Sequence, residues 1–194
     1  TEGDVALIRE AGITYAVVIP DLESFYAERL QAERDLWQNA PRATGFGFGS
    51  MGGYYTWSEV VGKLDEMRAS DPSLITAKQS LGLTHEGRDV WMVKISDNAD
   101  VNEGEPAILY TGLTHAREPE GMELLLYYMF YLLENYGTNP EATYLVNERE
   151  MYFVPVVNPD GYAYNQTTNP AGGGMWRKNR RVNGGGLYGV DLNR

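Results

Sequence analysis

Cysteine is absent from the 194 residues, and with it go disulfides, thiolate metal ligands and a cysteine nucleophile. That absence does not fix a compartment, because exported proteins can also lack cysteine. Histidine is scarce: His85 and His115 are the only two, and none follows position 115. Long apolar runs are missing too. The longest, "LLLYYMFYLL" from Leu124 to Leu133, falls well short of the ~20 residues a bilayer-spanning helix needs and reads as a buried helix. Positive charge is in short supply, and the net charge of −11 argues against a phosphate backbone as partner. Neither nucleic acid nor a membrane is expected. No signal peptide is visible, since "TEGDVALIRE" is acidic and lacks a basic segment, although the sequence given can begin after one. No internal repeat is evident.

What is present points to a folded globular chain. Apolar residues make up 43%, aromatics 12%, and 14 Tyr and 4 Trp are too many for disorder. The length suits one sizeable core, or one domain plus part of another. "DVALIREAGITYAVVIPDLESFYAERLQAERD" reads as helix, strand, helix. Asp4 caps the first, Ile13 to Ile19 is β-branched enough for a strand, Pro20 stops it, and Asp21 or Ser24 opens a helix to about Trp37. "NAPRATGFGFGSMGGY", Asn39 to Tyr54, carries five glycines and a proline and is the one good linker candidate. A boundary there separates residues 1–44 from 45–194.

Beyond it, Thr56 and Glu59 match a capping box, and Val60, Leu64 and Met67 form one apolar stripe before Asp71-Pro72. "LITAKQSLGLTHEGRDVWMVKIS" predicts two strands around a turn at Glu86-Gly87. "PAILYTGL" predicts a short buried strand whose end delivers His115, and "PEGMELLLYYMFYLLENYG" a helix with Pro119 in its first turn and Gly137 at its end. "MYFVPVVNPDGY" predicts a buried strand closed by a turn at Asn158 to Gly161. The glycine-rich tail from Ala163 to Arg194 offers only a short strand at Leu187 to Val190. Apolar strands alternating with helices imply an α/β fold, a mixed sheet with helices on both faces. In such sheets sites gather beyond the carboxyl ends of strands, where His115 and Glu118 fall.

Histidine and glutamate at i and i+3 lie on one face of a turn and can reach one ion, and zinc accepts both donors. A surface histidine beside a helix-opening glutamate is the plainer alternative. The tail bears on the choice. "MWRKNRR" packs four basic residues into positions 177–181 of an acidic chain, and "GVDLNR" sets Asn193 beside Arg194. An amide next to a guanidinium suits a planar carboxylate, held through paired hydrogen bonds. A Lewis acid, an isolated arginine and a carboxylate clamp together suit cleavage of a peptide beside its free C-terminus.

"HAREPEG", "VPVVNPDGYAY", "MWRKNRR" and "GVDLNR", in that order and spacing, resemble the amino-terminal half of the zinc carboxypeptidases of the carboxypeptidase A type. "LGLTHEGRDVWMVKIS" is similar to the strand pair before the metal loop, so the resemblance covers about Gly53 to Arg194. It implies that His115 and Glu118 are two of three zinc ligands, and that a zinc-activated water is the nucleophile. It further implies that Arg177 polarises the scissile carbonyl, that Arg117 binds the substrate chain, that Asn193 and Arg194 hold the terminal carboxylate, and that Asp191 fixes the far nitrogen of His115.

The family's third ligand, a histidine, and its general-base glutamate lie farther downstream than Arg194, and His85 sits in the exposed turn "THEGR". The chain therefore holds half a site, and by itself is expected to bind zinc weakly and to turn nothing over. The substrates implied are peptide or protein C-termini, and the compartment implied is extracellular or periplasmic. "GITYAVVIPDLESFYAER" resembles the end of an activation segment, with Arg42 a processing position, and an ordinary helix-strand-helix extension is the alternative. Two other readings stay open: a non-catalytic module that binds peptide C-termini, and a zinc hydrolase acting on cell-wall peptides or acylated amino acids.

Overall fold

The computed structural model describes residues 2–37 and 43–194. A four-stranded mixed sheet, ordered β1-β2-β4-β3, organises the chain. β1 (Gln79–Leu83) and β2 (Asp89–Ile95) form the expected hairpin, β2 runs antiparallel to β4 (Glu150–Val154), and β4 runs parallel to β3 (Ala107–Thr111). Parallel neighbours need a crossover. Here α4 (Glu120–Asn135) and α5 (Pro140–Glu148) provide it.

Register decides which face is buried. Val93 lies opposite Phe153, Ile95 opposite Met151, Ile108 beside Met151 and Tyr110 beside Phe153, so these six side chains share one face. α3 (Trp57–Ser70) and α4 add Val60, Leu64, Met67, Met122, Leu126, Met129 and Phe130 to the same apolar cluster. Each such side chain contributes about 1.5–3 kcal/mol on burial. Tyr128 of α4 meets Tyr110 edge-on at 5.8 Å. On the other face Leu109 is 63% exposed. β3, which carries it, is an edge strand among the described residues.

Several elements differ from expectation. Ile13 to Ile19 forms no strand between α1 (Glu2–Glu10) and α2 (Leu22–Trp37), and Ile13, Val17 and Val18 are exposed. β-branched residues favour strands only where a partner strand is paired and packed. Asn158-Pro159-Asp160-Gly161 is no reverse turn. It opens α6 (Pro159–Thr168), with Asn158 as N-cap accepting from the Gly161 amide at 3.1 Å. α5 opens the same way on Asn139 and Pro140. The short strand β6 (Leu187–Tyr188) pairs with an unanticipated β5 (Val182–Gly184).

The glycine segment is no free linker from Ala43 onward; residues 38–42, which include Arg42, lie outside the described residues. Ala43, Met51 and Tyr55 are buried. Three carboxylates of α4 hold the segment: Glu134 accepts from the Thr44 and Gly45 amides, Glu120 from the Tyr54 hydroxyl, and Glu123 from the Tyr55 amide at 2.6 Å. Gly45 lies so close to Phe130 that a Cβ there would stand 2.3 Å from its ring. Its glycine serves close approach instead of flexibility. The capping box forms as expected, with Thr56 Oγ1 accepting from the Glu59 amide and Glu59 from the Thr56 amide.

Burial pushes the Glu123 carboxyl up to about 8, against the lesser effect of the Tyr55 amide. Between the ordinary carboxylate range and 8 the folded form keeps a proton that the unfolded chain has lost, so stability falls as pH rises through that window. Glu123→Gln is neutral throughout and still accepts from Tyr55. In urea unfolding of the full-length protein the variant is expected to gain on wild type by a few kcal/mol between pH 5 and 9, at about 1.4 kcal/mol per pKa unit. Parallel pH profiles would contradict the assignment.

Candidate metal centre

Gly112 leaves the carboxyl end of β3 under tight constraint. Its amide donates to Val154 O at 3.0 Å, and a Cβ on it would stand 2.8 Å from Pro155 O. Leu113 follows with φ +50°, the one non-glycine residue at positive φ among the described residues. Such a conformation costs about 1–3 kcal/mol and persists where surrounding contacts impose it. The contacts here are two backbone bonds to the parallel neighbour: Val157 N to Gly112 O, and Asn158 N to Leu113 O, each 3.1 Å. The ends of β3 and β4 are thereby stitched together, and His115 emerges buried at 7% exposure.

The His115 side chain lies among three charged groups. Its Nδ1 is 2.9 Å from Glu118 Oε2, within one turn in which the Glu118 amide also donates to His115 O. On the other side, Nε2 is 3.2 Å from Asp191 Oδ1 and 2.8 Å from Arg177 Nη2. The Arg177 guanidinium spans the group, donating from Nη1 to Glu118 Oε1 at 3.2 Å and from Nε to Asp191 Oδ2 at 3.0 Å. The Asn193 amide, 3.0 Å from Asp191 Oδ1, holds the Asp191 carboxyl well below the usual carboxylate range, with help from Arg177 and then His115. Residues 115, 118, 177 and 191 thus converge.

The other expected site residues do not join them. Arg117 is exposed and makes no hydrogen bond or ion pair with the described residues. Asn193 reaches the cluster only through its backbone, and Arg194, also exposed, bonds to Asn193 O. His85 is exposed in its turn, as expected.

The donor set fits zinc as far as it goes. A nitrogen and a carboxylate oxygen 2.9 Å apart can both bind an ion placed ~2 Å from each. Glu118, about half exposed, leaves that point open to solvent. Asp191 adds no third donor, because it faces the opposite ring nitrogen. Among the described residues the one trio of carboxylate or imidazole donors within 4.8 Å of each other is Asp97, Glu103 and Glu105, away from His115.

Sequence reasoning missed the groups that hold this cluster in place. Asp160, at 1% exposure, accepts from Thr84 Oγ1, the Glu86 amide and Arg88 Nη1, tying the β1–β2 turn to α6. Arg180 stacks over Tyr164, Trp176 and Tyr188 at 4.0, 4.7 and 4.5 Å and bonds to Glu86. Buried Asn158 and Asn165 reach main-chain atoms on both sides of the site. No spacing rule announces an asparagine whose partners are main-chain carbonyls.

Comparison with known proteins shows the family of the chain. The zinc carboxypeptidase family model matches residues 60–194. Carboxypeptidase A2 of Mus musculus is 34% identical over 193 residues, covering 98% of this chain and 43% of the relative. A zinc carboxypeptidase of Saccharothrix mutabilis subsp. capreolus is 39% identical over 142 residues, 73% of this chain and 32% of the relative. The crystal structure of carboxypeptidase A from Helicoverpa armigera superposes with a TM-score of 0.69 at 25% identity, covering all of this chain and 45% of that one. The chain thus spans less than half the length of these relatives, and its fold is a partial domain of their type. With its family model matched from the first buried residue of α3 to Arg194, the chain belongs to the zinc carboxypeptidase family.

Proposed function

We propose that the protein containing this chain is a metallocarboxypeptidase that removes C-terminal residues from peptides at a zinc ion held in part by His115 and Glu118. The observation that carries this reading is the convergence of His115 Nδ1 and the Glu118 carboxylate, with the Arg177 guanidinium lying across both. When bound, zinc would supply a Lewis acid and lower the pKa of water toward neutrality.

The chain's own residues do the rest. Nε2 of His115 faces a carboxylate and a guanidinium N–H together, and one proton state cannot serve both. With its hydrogen on Nε2 the ring donates to Asp191 and turns the Nδ1 lone pair to the Glu118 side. That is the ligating tautomer, and an ionised Asp191 favours it. Arg177 then has no acceptor at Nε2, and its Nη2, released from that contact, can face a carbonyl oxygen where negative charge develops, while Nη1 stays on Glu118. Arg117, exposed and unpaired with described residues, is available to a substrate chain. Asn193 and Arg194 would clamp the free carboxylate, the guanidinium binding in a fork and the amide adding a further bond.

Residues 1–44 fit the same reading as the tail of an activation segment preceding residues 45–194. Their support is a contact of α2 with the region after α6, where Asn169 donates to Glu23 at 3.3 Å. Export belongs to the reading as well. No helix among the described residues is long and apolar enough to cross a membrane.

The test is substrate discrimination by the full-length protein. Unprotected peptides should lose their C-terminal residue and amidated ones should not. Arg194→Ala should weaken the former by roughly 10²-fold in kcat/KM, the scale of a lost charge-assisted pair of about 1.5–3 kcal/mol. A kcat/KM on free peptides within about twofold of wild type in Arg194→Ala would remove Arg194 from the clamp.

A further inference from the structure

Arg177 sits in a stretch without regular structure, residues 169–181, yet the reading above requires its guanidinium to be held to a fraction of an ångström. Local chain stiffness cannot supply that, because Gly172, Gly173 and Gly174 precede it. The restraint comes from α6. Asn165, 3% exposed, accepts from the Trp176 amide through Oδ1 at 2.9 Å, and its Nδ2 donates to Trp176 O at 2.8 Å and to Ala116 O at 2.9 Å. Both of its N–H hydrogens and its oxygen are therefore used, and the Trp176 amide fixes which end of the side chain is which.

Asn158, seven residues earlier and so two turns away on the same side of the helix, repeats the pattern more loosely. Its Nδ2 lies 3.3 Å from Thr114 O and 3.4 Å from Arg177 O. Backbone completes the link, with Ala116 N donating to Arg177 O at 3.0 Å. Space is fitted to the clamp. A Cβ on Gly174 would stand 2.7 Å from Asn165 Cγ, and one on Gly161 would stand 2.4 Å from Lys178 O.

We propose that Asn165 is a positioning residue that sets the distance between the His115–Glu118 loop and Arg177, a role that rests on the metallocarboxypeptidase reading. It touches neither the ligands nor the guanidinium. It acts through the backbone of the residues next to them, Ala116 and Trp176. Aspartate in its place would turn an oxygen toward two carbonyls, and leucine would leave a buried amide and two carbonyls unpaired.

The experiment compares Asn165→Ser, Arg177→Ala and the double variant in the full-length protein at saturating zinc. Asn165→Ser is expected to lower kcat about 10- to 10²-fold, as an ångström-scale misplacement does, with KM changed less than about threefold. In the Arg177→Ala background the same change is expected to cost less than about twofold, because the group it positions is gone. Wild-type kcat in Asn165→Ser, or a full independent loss in the double variant, would overturn the proposal. Amide hydrogen exchange gives a second readout that needs no turnover. In Asn165→Ser the Trp176 and Ala116 amides should exchange at least about tenfold faster while α4 amides keep their rates. Unchanged protection overturns the clamp; a wild-type protein inactive on free peptides overturns the enzymatic reading and leaves the exchange result to decide on Asn165. Should Asn165→Ser not fold, slow exchange of the Trp176 amide in the wild type supports the clamp and exchange at loop rates refutes it.

Discussion

His115→Ala in the full-length protein is expected to lose bound zinc, with metal analysis falling from near one ion per chain to near none. His115 and Glu118 are the two candidate protein donors this chain brings together, 2.9 Å apart. A catalytic zinc has three protein ligands in its usual arrangement, so removing the imidazole leaves at most two. Alanine also strips Asp191 and Arg177 of their common neighbour, but those two still bond to each other through Nε at 3.0 Å. The variant should therefore fold, and thermal melting in the presence of a chelator should match that of metal-free wild type. Near-stoichiometric zinc in a folded His115→Ala protein would take His115 out of the ligand set.

Arg177→Ala carries the second large effect, on turnover instead of metal. A donor aimed where charge develops is worth about 10²–10³ in kcat, or roughly 3–4 kcal/mol of barrier. KM should move little, since the contact is made chiefly in the transition state. Zinc should stay bound, because both donors remain and removing a cation beside them does not weaken their attraction for another. A kcat within about twofold of wild type would show that the guanidinium bonded to Glu118 and Asp191 serves only to hold those carboxylates.

The sequence made part of this site readable and hid the rest for physical reasons. His115 and Glu118 were legible because three residues of spacing within one turn is a local property, and because "PAILYTGL" announces a strand whose end they follow, although that strand is partly exposed and not buried as expected. Arg177 and Asp191 lie 62 and 76 residues from His115. Only the ordered motifs shared with a family linked them. The helix opened by Asn158 was hidden because Asn-Pro-Asp-Gly has the chemistry of a turn and of a helix start at once. Residues 13–19 read as a strand on side-chain preference alone, which counts for little without a neighbouring strand.

The glycines of residues 45–53 show the same limit from the other direction. As a string they signal flexibility. In the fold Gly45 faces the Phe130 ring, while Glu134 and Glu123 of α4 accept from backbone amides of the segment. Whether a glycine-rich stretch is loose or docked depends on acceptors more than sixty residues away, which no local window contains. Asn165 is the sharper case. All three hydrogen bonds of its side chain go to main-chain atoms, so nothing about its partners' side chains could have given it away.

The most direct test of the central claim is to locate the metal. Crystals of the zinc-loaded full-length protein, measured on both sides of the zinc absorption edge, should give one anomalous peak lying between Nδ1 of His115 and the carboxylate of Glu118, with Nε2 still turned to Asp191. A peak bound to Nε2, or one seated among Asp97, Glu103 and Glu105 with none at His115, would contradict it.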